Sequence, residues 1–156
     1  MGNVLAKSVS ECISPLAGEL DAGIAPLVLA MRDAGFETVS SCEGHFKPGD
    51  FKHAKPNVVF VALDRGLLHS WIRGLSRTQR SSDVLTTGFS MFPVWNPDRD
   101  TVHEDNWILE IDVSDCAAPE EARRRTDETV LHLIATLEAA IRCRPLATDT
   151  FVRSRW

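Results

Sequence analysis

Three segments with helical periodicity, separated by two pairs of strand-like segments, place the strongest limits on how this chain can fold. In the first segment, apolar side chains recur at the i, i+3, i+4, i+7 spacing of a buried helix face, at Ile24, Leu27, Val28 and Met31. Gly35 stands where a left-handed C-terminal cap belongs, so we predict that this helix ends near Ala34. Pro26 must then lie in its first turn.

The first pair of strands is predicted at residues 36–41 and 57–63, and we expect both strands to be central in the sheet. The second is a continuous apolar run, which is typical of a strand buried on both faces. Asp64 is a good N-cap for a second helix, whose apolar stripe is formed by Leu68, Trp71, Ile72 and Leu75. The polar residues 76–83 are expected to form a loop.

The second pair of strands is predicted at residues 84–95 and 107–113. The residues between them, 96–105, are polar and long for a hairpin loop, a length that favours a functional loop. Pro119 begins a long helix, which Pro145 ends, and its apolar stripe is formed by Val130, Leu133, Ile134, Leu137 and Ile141.

The resulting element order, αββαββα, predicts an α+β fold. We expect a two-layer sandwich in which three helices pack on one face of a mainly antiparallel, four-stranded sheet. The chain has 156 residues, the size of one domain, so we interpret 1–156 as a single domain. Within it, residues from about 1 to 20 form an N-terminal arm and residues from about 146 to 156 form a C-terminal tail.

Composition and charge limit the kinds of partner that the protein can bind and the cellular compartment in which we expect it. The net charge of −5 gives no basic footprint for a phosphate backbone, which argues against a nucleic-acid partner. The N-terminus has no export signal, the apolar runs are too short to span a bilayer, and the four cysteines form no C-x-x-C pair. We therefore expect a cytoplasmic protein with free thiols that does not enter membranes. Its Trp and Phe residues are compatible with a homo-oligomer.

The chemistry is concentrated in one turn, which brings two hydroxyls, a thiol, a carboxylate and an imidazole together: Ser40-Ser41-Cys42-Glu43-Gly44-His45. Gly44 would allow a positive φ angle, so that backbone N–H groups form a nest for an anion. As candidate catalytic residues we consider Cys42 as a nucleophile, His45 as its acid or base, and Glu43. The structural alternative is that the cysteine is a small buried apolar residue and the serines cap backbone groups.

A basic segment follows the turn in this acidic protein. This segment contains three lysines, Lys47, Lys52 and Lys55, and one acidic residue, Asp50. Such a cluster of positive charge attracts anions. Phe46 and Phe51 would stack on a ligand or close over it as a lid, with Gly49 as the hinge. The alternative is a solvated loop whose two aromatic rings pack on the core. The predicted ligand-binding residues are Ser40, Ser41, Gly44, Lys47, Lys52, His53 and His103.

Zinc is a second interpretation of the same residues. Cys42 and His45 form a C-x-x-H pair, and His53 together with His103, Glu104 or Asp105 would complete a ligand set if residues 96–105 fold toward the turn. The spacing of one such pair is a weak signal, so we assign no metal ligands from the sequence.

The stretch from Ile24 to His45, with its motif Thr38-x-Ser40-Ser41-Cys42-Glu43-Gly44-His45, resembles a group of uncharacterised bacterial proteins that share S-C-E-G-H. It is also remotely similar to the wybutosine-synthesis tRNA methyltransferases, whose motif reads T-x-S-S-C-S-G-R. That resemblance implies S-adenosylmethionine as cofactor, with Ser40, Ser41, Cys42 and Gly44 near the active site. Glu43 and His45 depart from the motif, and the second change removes an arginine that could meet a phosphate.

Two functions therefore follow from the sequence. The first is a small methyltransferase-like enzyme acting on an anionic or nucleotide-like ligand, with His45 as acid or base. The alternative is a noncatalytic module that binds a small anion or a metal and works as a sensor or accessory partner. Catalysis requires His45 to reach a reactive centre in a pocket, whereas binding needs only hydrogen-bond donors.

Overall fold

The computed structural model describes residues 20–49, 51–52, 55–81, 88–96 and 101–143. Within them the chain forms three helices and four strands: α1 (Ala25–Asp33), β1 (Glu37–Cys42), β2 (Asn57–Val61), α2 (Arg65–Ser81), β3 (Gly88–Asn96), β4 (Thr101–Asp112) and α3 (Pro119–Arg142). The predicted order αββαββα and the α+β class are confirmed. None of the helices in these residues is long and apolar enough to cross a bilayer.

The four strands form one antiparallel sheet in the order β1-β2-β4-β3. Because directly opposed residues of antiparallel strands point to the same face, the strand registers define both faces. On the helix face, Val58 lies opposite Leu109, and both are buried in the core with Phe60 and Ile111. On the other face, which we call the open face, Val59 lies opposite Ile108, and both are only partly buried.

Two expectations about the first strand pair were wrong. We predicted that both strands would be central; β2 is central, between β1 and β4, but β1 stands at the end of the sheet that the described residues form. We also predicted that β2 would be buried on both faces, yet Val58 and Phe60 are buried while Asn57, Val59 and Val61 are half-buried. The helices cover a single face of β2, and apolar residues on its open face made the run look doubly buried.

The helix boundaries follow local signals. Helix α1 ends at Asp33, and Gly35 has a φ angle of 93°, as its C-terminal position predicted. Asp64 caps α2, since its Oδ1 accepts a hydrogen bond of 2.9 Å from the N–H of Leu67. The predicted loop at 76–83 was wrong as far as Ser81, because α2 continues to that residue. The hydroxyl of Ser76 donates to the carbonyl of Ile72, so its polarity is satisfied within the helix.

The β3–β4 hairpin is also longer than predicted. Trp95 pairs with Val102 and Asn96 with Thr101, so most of the predicted loop 96–105 is strand; residues 97–100 lie outside the described residues. Hairpin strands at the end of a sheet tolerate polar side chains, so the polarity of this segment does not indicate a loop.

Helices α2 and α3 are held together by a buried tryptophan. The Trp71 indole N–H donates to the carbonyl of Leu133 and to the hydroxyl of Thr136, at 3.2 Å each. The Trp71 ring also packs against Phe36, whose own ring meets that of Phe60 edge-on at 5.4 Å. One connected core therefore joins both helices to the sheet and holds the start of β1, next to Phe36, in place.

Candidate functional site

The turn after β1 has the backbone conformation that the sequence indicated. Gly44 is buried and has a φ angle of 87°, in the region that favours glycine. Its N–H points back to the thiol of Cys42, with 3.4 Å between nitrogen and sulfur. The amide that we expected to contribute to an anion nest is thus used inside the turn.

Glu43 ties the turn to the segment before α1. Its Oε2 accepts a hydrogen bond of 2.9 Å from the N–H of Gly23, and its own N–H donates to Oδ2 of Asp21 at 3.2 Å. A Cβ atom at position 23 would stand 3.0 Å from the Glu43 carboxylate, so the two segments are in close contact. We call this reciprocal pair of bonds the Glu43 clamp. A carboxylate held in this way positions the turn, and the structure gives no support for Glu43 as a catalytic group.

The strand pleat divides the remaining motif side chains between two faces. Ser40 and Cys42 lie opposite Val59 and Asn57, which places them on the open face. Ser41 lies opposite Val58 and therefore points toward the helix layer. The hydroxyl pair and the thiol thus do not converge on one cavity.

His45 is exposed at the end of the turn. Among the contacts of the described residues, no hydrogen bond joins its ring to Cys42, whereas the thiol accepts the Gly44 N–H. A cysteine nucleophile and its base need hydrogen-bond contact, in the complex if not in the free protein. The Cys42–His45 pair therefore stays a prediction that the geometry does not support.

The basic segment is partly structural. Phe51 is buried, with 6% of its surface exposed, so the expectation that its ring serves as part of a lid was wrong. Lys47 and Lys52 are exposed, and the Lys52 Nζ lies 5.7 Å from the centre of the Phe51 ring. Gly49 has a φ angle of 91°, as a glycine turn requires. His53 lies outside the described residues.

The register places His103 away from the turn. Cys42 pairs with Asn57, which in turn pairs with Glu110, so these three residues mark one end of the sheet. His103 lies seven residues from Glu110 along β4, or roughly 23 Å of extended strand. The prediction that residues 96–105 fold toward the turn was wrong, because most of them extend the hairpin beyond the opposite end of β2.

A cavity of about 310 Å³ adjoins the turn on the helix side, and we call it the Phe46 pocket. Its walls are Phe46 and the first two turns of α3: Pro119, Glu120, Arg123, Arg124 and Asp127. The Arg123 guanidinium lies over the Phe46 ring, 4.7 Å from its centre. Arg124 forms an exposed ion pair of 3.3 Å with Glu128, one helical turn further on.

Sequence reasoning identified Phe46 but missed the arginines. Three consecutive arginines, 123–125, stand near the start of a helix that carries acids on both sides of them, a pattern typical of a solvated helix surface. The one feature of the sequence that could have pointed to these residues is the run of three adjacent positive charges. Only the packing of α3 beside the turn reveals that Arg123 meets an aromatic ring.

The third arginine of that run links the start of α3 to the segment before it. Arg125 donates two hydrogen bonds of 2.8 Å to Asp115 and one of 2.9 Å to Glu121. The hydrogen bond from Arg125 lowers the pKa of the Asp115 carboxyl, and the N–H of Ala117 lowers that of Glu121. Burial raises the pKa of the neighbouring Cys116 thiol. These bonds close the β4–α3 connection, so that the first turn of α3 has a fixed position.

The described residues contain no group of three or more His, Cys, Asp or Glu side chains placed to hold a metal ion. A zinc site at Cys42 and His45 would thus need ligands from elsewhere in the chain. Cys42, Cys116 and Cys143 are free thiols. Comparison with known proteins gives no further lead: no family model, no curated protein and no solved structure matches this chain.

Proposed function

We propose that this domain binds a small anionic, nucleotide-like molecule in the Phe46 pocket. The observation that carries the proposal is the Arg123 guanidinium stacked 4.7 Å above the Phe46 ring in the wall of a cavity of about 310 Å³. A guanidinium presents several donors in a fixed plane and suits phosphate or carboxylate oxygens. The ring and the flat guanidinium also offer a surface on which a base can stack.

The geometry favours the noncatalytic version of this function. The Glu43 carboxylate is engaged in the clamp, and His45 makes no hydrogen bond to Cys42 among the described residues. Binding requires only the donors and the apolar wall that the pocket supplies. A sensor or accessory role in the cytoplasm, with the ligand altering the α3–turn contact, is consistent with these features.

The methyltransferase-like enzyme is the second candidate, and the motif is what supports it. The half-buried Ser40 and Cys42 lie next to each other on the open face, where a substrate could reach the thiol and hydroxyl. S-adenosylmethionine is the cofactor that the resemblance implies. If the noncatalytic module binds a metal instead of an anion, we propose zinc, with Cys42 and His45 as two of its ligands.

The test is a set of binding measurements on the full chain. Adenosine monophosphate, inorganic phosphate, S-adenosylmethionine and zinc chloride are each titrated, with the melting temperature and the heat of binding as readouts. A ligand at a hundred times its dissociation constant stabilises the folded state by about 2.7 kcal/mol. We expect adenosine monophosphate to bind, and Arg123→Gln to weaken it about tenfold by removing a charge-assisted contact.

Arg142→Gln is the matched control, since Arg142 is exposed on the same helix but lies at its far end. Phe46→Leu keeps the apolar wall and removes the ring. Equal weakening by Arg123→Gln and Arg142→Gln would mean nonspecific charge attraction and would refute the pocket. A shift with S-adenosylmethionine that His45→Ala abolishes would favour the enzyme, and a shift with zinc alone that His45→Ala abolishes would favour the metal module.

A further inference from the structure

The open face of the sheet carries a row of residues that crosses all four strands and is apolar on β2, β4 and β3; we call it the apolar row. Ser40, Val59, Ile108 and Phe92 are successive partners in the registers of β1, β2, β4 and β3. Val59 and Ile108 are half-buried, and Phe92 has 43% of its surface exposed. In the next row, Val61 adds a further apolar side chain beside Val59. This row lies on the side of the sheet opposite the Phe46 pocket.

Carboxylates flank the apolar row on both sides. Glu110 lies in the neighbouring row on one side, opposite Asn57 and Ser90. Glu37 lies in the neighbouring row on the other side, opposite Val61. Neither carboxylate has an ion-pair partner among the residues that the structure describes. Further along the Glu110 side, Asp112 is paired with Lys55 at 3.4 Å, so the cation next to this face is already engaged.

We propose that the open face docks a partner protein through an amphipathic helix whose apolar stripe is flanked by lysine or arginine. Four strands spaced by about 4.8 Å put roughly 14 Å between the outer strands, which about ten helical residues would cross. Rows two residues apart are separated by roughly 6.6 Å, so carboxylates on both sides meet the flanks of a helix about 10 Å wide.

The carboxylates on the open face favour a basic helix over a second copy of the chain as the binding partner. A two-fold dimer through the open face would bring Glu37 and Glu110 of one copy against the same carboxylates of the other, with Lys55 already paired. Like charges placed together at an interface cost affinity, whereas a basic partner gains both steering and specificity.

The experiment measures binding of a fluorescein-labelled model helix of about 14 residues, built from Leu and Lys, to the full chain by fluorescence anisotropy. Its isomer with Glu in place of every Lys is the first control. We expect the basic peptide to bind with a dissociation constant of roughly 10–100 µM, more weakly in high salt, and the acidic peptide not to bind.

Phe92→Ser and Glu110→Lys should each weaken binding at least about fivefold, because they remove the apolar centre and one flank. The matched controls are Leu131→Ser, at an apolar residue with 67% exposure on α3, and Glu138→Lys, on the same helix. Both should stay within about twofold of wild type.

Wild-type NMR titration provides a measurement that does not depend on variants, since the amide shifts should cluster on β2 and β4 around Val59 and Ile108. Equal affinity for the acidic peptide, or no effect of Phe92→Ser and Glu110→Lys, would overturn the proposal. So would a wild-type dimer in sedimentation that Phe92→Ser dissociates, because the occupant would then be a second copy. Amide shifts confined to the α3 side would also overturn it.

Discussion

Thr129 offers a direct test of how this core is built. It lies on the buried face of α3, fully shielded from solvent, and its hydroxyl oxygen has no hydrogen-bond partner among the described residues. A buried hydroxyl without a partner costs about 1–3 kcal/mol. Thr129→Val keeps the branched shape and a similar helix propensity while removing the polar atom. We therefore expect the free energy of unfolding to rise by about 1 kcal/mol.

Thr126→Val is the matched control one turn earlier on the same helix. Thr126 is also buried, but its hydroxyl donates a hydrogen bond of 2.8 Å to the carbonyl of Ala122. Removing it should lower the free energy of unfolding by about 0.5–1.5 kcal/mol. The two substitutions are chemically identical, so the difference in sign isolates the hydrogen bond from changes in volume and propensity.

Urea unfolding followed by circular dichroism measures both variants. Equal slopes of free energy against urea would show that the folded and unfolded states keep their exposed areas, so that midpoints can be compared. Destabilisation by Thr129→Val as large as that by Thr126→Val would refute the reasoning, since it would mean that the Thr129 hydroxyl is satisfied in solution.

Three further predictions concern the helix pair and the turn. Burial lowers the pKa of His132, which contacts the Thr78 hydroxyl at 3.1 Å, so the unfolded chain binds more protons than the folded one at acidic pH. The stability is therefore full above the ordinary His pKa of about 6.5 and falls as the pH drops from there through the lower folded-state pKa. His132→Gln should make the urea midpoint less dependent on pH below about 6.5. Gly23→Ala should cost about 1 kcal/mol by crowding the Glu43 carboxylate, and little in a Glu43→Ala background, in a double-mutant cycle of urea midpoints. Trp71→Phe should cost about 2–3 kcal/mol, seen as a lower melting temperature, because it removes the indole hydrogen bonds between α2 and α3 and leaves a void.

Features encoded within a few residues were predictable from the sequence. The end of α1 at a glycine with positive φ, the Asp64 cap and the positive φ of Gly44 each depend on neighbours along the chain. The periodicity of apolar residues likewise indicated all three helices and the element order. These features are encoded by neighbouring residues, and the helices pack through the same apolar stripes that the periodicity indicates.

Features that depend on distant segments were not predictable. The position of β1 at the end of the described sheet depends on the order in which all four strands pair, and the local pattern of β1 does not report it. The stacking of Arg123 on Phe46 and the bond from Gly23 to Glu43 likewise join segments whose proximity the sequence does not state. Polarity misled the prediction at residues 76–81 and 101–105, where α2 and β4 continue through polar sequence.

The S-C-E-G-H motif acquires a largely structural explanation from these contacts. Gly44 supplies the left-handed backbone, its N–H binds the Cys42 thiol, and Glu43 anchors the turn to Gly23. A substitution at any of these three positions would disturb the turn itself, so a loss of function there cannot distinguish catalysis from folding. His45 is the exception, because it is exposed and the described contacts give it no structural task. Since removing its ring should leave the fold intact, His45 is the motif position at which a functional effect would point to chemistry or ligand contact rather than to stability.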